Sequence, residues 1–146
     1  MQRLGFYLSG ELPVERVLPL IARAAKRAGQ RMLIVAQDPA LLERLDKALW
    51  EQFPEDFLAH GRADAPHSER QPVLLSGDCS AANGARLVAL ADGQWRAEAE
   101  AFDRALLFFD EAGRAAARQT WRLFDEREDV TREFHELEGG KWVQKA

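Results

Sequence analysis

Five consecutive apolar residues, Met32-Leu33-Ile34-Val35-Ala36, run with no polar residue among them. A strand covered on one face alternates apolar with polar side chains, whereas a strand covered on both reads as continuous apolar sequence. The run therefore predicts an interior strand of a parallel sheet with helices on both sides. Its neighbours supply such helices. Upstream, Val17, Leu18, Ile21, Ala24, Ala25 and Ala28 recur at helical spacing, and Gly29 stands where a C-terminal cap belongs. Pro19 is expected in the first turn of that helix, because deeper inside it would cost about 3 kcal/mol. Downstream, Asp38 suits an N-cap, Pro39 the first helical position, and Leu42, Leu45 and Leu49 an apolar stripe.

Further strands are predicted over residues 4–8, 73–75, 87–90 and 105–109, the last as the final central strand, followed by a helix over residues 114–126. Residues 61–72 are polar, contain Pro66 and Pro72, and read as a surface loop. Strands alternating with helices through short connections give an α/β fold, a three-layer α/β/α arrangement around a mostly parallel, Rossmann-like sheet. With 146 residues, the chain is expected to form a single domain over 1–146.

A fold of this class often binds nucleotides, yet the phosphate-binding signatures are missing. The only Gly-Lys, Gly140-Lys141, is followed by Trp142, and no G-x-G-x-x-G follows either of the first two strands. The net charge of −4 argues against tight direct binding to a nucleic-acid backbone. His60, His67 and His135 lack the spacing of a metal site, and Cys79 is the only cysteine, so no metal or cofactor is expected. No apolar run approaches the roughly 20 residues of a membrane span. No secretory leader pattern opens the sequence, and a cytoplasmic protein with no membrane partner is expected. Ser76, Asp78 and Cys79 lie close together in sequence, but no base is evident beside them, and the segment reads as a turn after a strand.

Two groups of residues suit binding. Arg114, Arg118 and Arg122 fall at i, i+4 and i+8 of the late helix with no acid between them, and Trp121 and Phe124 lie on a neighbouring face. Such a stripe is either a solvated face or a seat for an acidic peptide with a hydrophobic end. Trp50, Phe53 and Phe57 form an aromatic group that belongs either to the core or to a protein-binding patch.

Several segments, in order, are similar to one family. Phe6-Tyr7-Leu8, Gly29-Gln30-Arg31-Met32-Leu33-Ile34, Leu45-Asp46-Lys47-Ala48-Leu49-Trp50 and Phe57-Leu58-Ala59-His60-Gly61 resemble segments of the chi subunit of bacterial DNA polymerase III. Gln71-Pro72-Val73-Leu74-Leu75, Asn83-Gly84 and Gly139-Gly140-Lys141-Trp142 continue the likeness. Ala59 stands where the family usually has proline, and the Leu-Leu-Phe-Phe of residues 106–109 replaces a stretch with a nearby Pro and Tyr. The resemblance implies a non-catalytic subunit of the DNA polymerase III holoenzyme that connects the clamp loader, through psi, to single-stranded DNA-binding protein. That protein's C-terminal tail is acidic and ends in Pro-Phe. The matching tail-binding positions are Arg114 and Arg118, with Arg122 added by helical spacing. The positions matching a surface for psi or an accessory helicase are Trp50, Phe57 and Leu107. A small nucleotide-dependent enzyme is the competing reading of the fold.

Overall fold

A computed structural model describes residues 1–146. Eleven elements follow one another: β1 (Arg3–Leu8), α1 (Val14–Arg27), β2 (Met32–Val35), α2 (Pro39–Glu51), β3 (His60–Arg62), β4 (Val73–Ser76), β5 (Leu87–Leu90), β6 (Arg104–Phe109), α3 (Arg114–Arg122), β7 (Thr131–Glu138) and β8 (Lys141–Gln144). The strands make one sheet in the order β3-β4-β2-β5-β6-β1-β7-β8. All pairings are parallel except β7 with β8.

The continuous apolar run behaves as its composition requires. Met32 and Ile34 face α1 and α2, where they pack with Leu18, Ala22, Leu42 and Leu45. Leu33 and Val35 face the opposite layer, with Leu107, Ala117 and Phe124. Each face of the sheet thus has its own core, which is the three-layer arrangement.

The caps are formed by the residues with the required chemistry. The Asp38 side chain accepts from the Ala40 amide at 3.0 Å, with Pro39 opening α2. Gly29, at φ +70°, ends α1, and its amide and that of Gln30 donate to Lys26 and Ala25 carbonyls at 3.0 and 2.9 Å. This is the paired C-terminal motif that a left-handed residue allows.

Three expectations are corrected and one is extended. Pro19 is not in the first turn: α1 begins at Val14, behind Pro13, and Pro19 lies buried inside it. Burial of Val17, Leu18 and Ala22 against the sheet outweighs the hydrogen bond lost at the proline. Residues 61–72 are not all loop, since His60–Arg62 pairs with β4 as an edge strand and Ser68–Arg70 forms a 3-10 turn. The late helix ends at Arg122, and Leu123–Glu126 is turn. Finally, residues 105–109 do form a central strand, between β5 and β1, but two strands that were not expected follow it: β7 docks in parallel on β1 and β8 turns back along β7.

Candidate functional site

On α3, Arg114, Ala117, Arg118 and Trp121 stand at i, i+3, i+4 and i+7, so they share one face. That face borders a groove of about 320 Å³ whose other walls are Phe6 of β1, Phe109 of β6, Phe134 of β7 and Ala146. The parallel register places Phe6 directly beside Phe134. The Phe6 and Trp121 rings meet at 5.0 Å, tilted by 53°, and Phe109 stacks near Phe134 at 6.4 Å. The Arg132 guanidinium lies 4.8 Å from the Trp121 ring and donates to the Trp121 carbonyl at 2.5 Å and to Asp125 Oδ1 at 2.7 Å. The indole is thereby fixed in place. The interior of the groove is apolar, and its cations are Arg114 and Arg118.

The three arginines of the stripe have different surroundings. Arg114 donates through Nε and Nη2 to Glu111 at 2.9 and 2.8 Å, which strengthens its hold on its proton and lowers the Glu111 carboxyl below the usual carboxylate range. Arg118 is exposed and has no carboxylate partner. Arg122 is exposed and lies outside the groove, since the eight-residue step carries it round the helix from Arg114. Phe124 is buried in the core beneath α3. Sequence reasoning missed Phe6, Phe109, Phe134 and Arg132 as part of this site. Phe6 and Phe109 look like ordinary strand residues, Arg132 and Phe134 lie in a charged stretch with no strand pattern, and only the sheet order brings the four to α3.

The second group is split by the fold. Trp50 and Phe57 are 48% and 67% exposed, with ring centroids 5.9 Å apart. Trp50 also lies 4.3 Å from the ring of His60, whose imidazole is buried and bonded to Asp46 Oδ1 at 2.7 Å and to the Leu58 carbonyl at 2.7 Å. Phe57 is held at φ +46°, a left-handed conformation that is strained for a bulky residue. Lys26 bonds to the carbonyls of Asp56 and Phe57, and Asp56 pairs with Arg23 at 3.6 Å. Phe53 is partly buried against the core beneath the Arg23 guanidinium. Leu107 corrects the expectation for this patch: it is 0% exposed, inside the core on the α3 side of the sheet. It presents no surface to a partner.

At the carboxyl ends of the strands, where α/β sheets commonly take ligands, the crevice is acidic. Glu15, Asp38, Asp92 and Asp110 line it, with Arg44 the only cation. Pro13, just before α1, has no N–H to offer a phosphate. After β4, Ser76 and Asp78 form a turn in which the Ser76 hydroxyl accepts from the Asp78 amide at 3.2 Å. Burial pushes the nearby Cys79 thiol upward, away from the thiolate a nucleophile needs. No helix is long and apolar enough to cross a membrane.

Comparison with known proteins gives the family. Residues 1–130, which include α3 and the Trp50–Phe57 patch, match the family DNA polymerase III chi subunit, HolC. The chain is also 32% identical over 83 residues to DNA polymerase III subunit chi of Escherichia coli (strain K12), a stretch covering 52% of this chain and 56% of that protein. The similarity to that relative thus spans little more than half its length. With nine-tenths of its residues matched, the chain belongs to the DNA polymerase III chi subunit family.

Proposed function

We propose that the groove beside α3 holds the acidic, Pro-Phe-ending C-terminal tail of single-stranded DNA-binding protein. The chain then serves DNA replication as a non-catalytic subunit of the DNA polymerase III holoenzyme, joining the clamp loader, through psi where present, to that protein. The observation that carries this reading is an apolar groove with Arg114 and Arg118 as its only cations. Such a groove suits a ligand whose apolar end fills the cavity while its carboxylates meet the guanidinium groups at its solvent-facing rim. Arg122, outside the groove, acts on the ligand only through its longer-range field.

The Trp50–Phe57 pair supports a second contact, with psi or an accessory helicase. Two large rings held in the open, one on a strained backbone, are characteristic of a binding patch rather than of a core.

A small nucleotide-dependent enzyme is the competing reading, and the acidic crevice at the strand ends counts against it. A thermal-shift experiment with ATP and with a short acidic peptide ending in Pro-Phe separates the two. A ligand bound only by the native state adds about 2.7 kcal/mol at a hundredfold excess over Kd. The peptide is expected to raise Tm and ATP to leave it unchanged; the reverse result would overturn the proposal.

A further inference from the structure

Arg114 is already paired before any ligand arrives. Glu111 opens the 3-10 turn Glu111–Gly113 that leads into α3, and its two oxygens accept from Nε and Nη2 of Arg114 at 2.9 and 2.8 Å. The turn is itself fixed by Asp110, whose side chain accepts from the Gly113 amide at 2.9 Å. Arg118 acts on the same carboxylate: hydrogen bonds from Arg114 and the fields of both arginines hold the Glu111 carboxyl below its ordinary range. Glu136 on β7 adds another negative charge within the field of Arg114. The acid that the two groove cations attract is therefore supplied by the protein.

We infer that Glu111 is an intramolecular competitor for the ligand's carboxylate, occupying the Nε–Nη2 edge of Arg114 in the free protein until an acidic ligand displaces it. This rests on the α3 groove receiving an acidic peptide. Glu111 is 63% exposed, and an exposed ion pair is weak enough to yield to a better-placed partner. Its effect is on affinity and selectivity. A ligand with carboxylates replaces what Arg114 loses, whereas a ligand with only an apolar end leaves Glu111 in place.

The test is calorimetric titration of a short acidic peptide ending in Pro-Phe, and of its neutral counterpart with Asn and Gln in place of Asp and Glu and the terminal carboxylate amidated, into wild type, Glu111→Gln and Arg118→Glu. Glu111→Gln is expected to bind the acidic peptide about two- to fivefold more tightly, with steeper salt dependence, and the neutral peptide as wild type does. Glu111→Ala should move affinity in the same direction. Unchanged or weaker binding of the acidic peptide to Glu111→Gln, with Arg118→Glu still impaired, would overturn the inference and leave the groove reading standing. An equal gain for the neutral peptide would also overturn it. Failure of the acidic peptide to bind the wild type would remove both.

Discussion

The indole of Trp121 rests against the ring of Phe6 at 5.0 Å, so a residue of the late helix and one of the first strand together form the floor of the groove. Phe6 is buried and belongs to the core, whereas Trp121 is only partly buried. The site is thus continuous with the core on one side and open to water on the other.

Arg118 is the groove cation with no internal partner, so it is the one whose loss should matter most. Arg118→Ala should cost about 1.5–3 kcal/mol of affinity for the acidic peptide, or about ten- to a hundredfold. Arg118→Glu should cost more, because a like charge then faces the peptide. Circular dichroism should show both variants folded, since the side chain is exposed. Wild-type affinity in Arg118→Glu would show that the stripe is only a solvated face.

Phe57 offers a separation of strain from contact. Phe57→Gly should be more stable than Phe57→Ala by about 1 kcal/mol, because glycine takes φ +46° freely and alanine does not. Both should lose the proposed contact with psi or a helicase equally, as both lack the ring. Urea unfolding measures the first effect and co-purification with psi the second. Equal stability of the two variants would mean that the backbone relaxes once the ring is gone.

Leu107 should behave as a core residue alone. Leu107→Ala should destabilise by about 2–5 kcal/mol, through lost burial and the cavity left behind. At temperatures where the variant remains folded, psi or helicase binding should match that of the wild type. A selective loss of binding at unchanged Tm would restore Leu107 to the surface.

Asp92 makes a prediction in pH. Burial raises its pKa, but Arg96, at 2.8 Å, and the Gln37 and Gln94 amides lower it by more, so the folded carboxyl lies below its ordinary value. A depressed pKa contributes stability above the unfolded value, near pH 3.9, and that contribution fades as pH falls through the folded value. Asp92→Asn should therefore reduce stability at neutral pH and flatten its decline below about pH 4. A parallel decline in wild type and variant would remove Asp92 from the acid response.

Much of this protein was determined by local sequence. Met32–Val35 had to be an interior strand because no face of it tolerates water, and Asp38, Pro39 and Gly29 mark helix ends through their own side chains or backbone freedom. The helical spacing of Arg114 and Arg118 likewise follows from the chain alone. Tertiary structure decided the rest. β7, Thr-Arg-Glu-Phe-His-Glu-Leu-Glu, has too many charges to announce itself as a strand, and it forms because β1 offers an open row of backbone partners. Docking there brings Phe134 beside Phe6 and makes a groove out of what would otherwise be one helix face. The burial of Leu107 was decided at the same level, whereas the pairing of Arg114 with Glu111 is a local i, i+3 contact set by the turn into α3. Periodicity states which residues share a face, but the order of the strands states what that face meets.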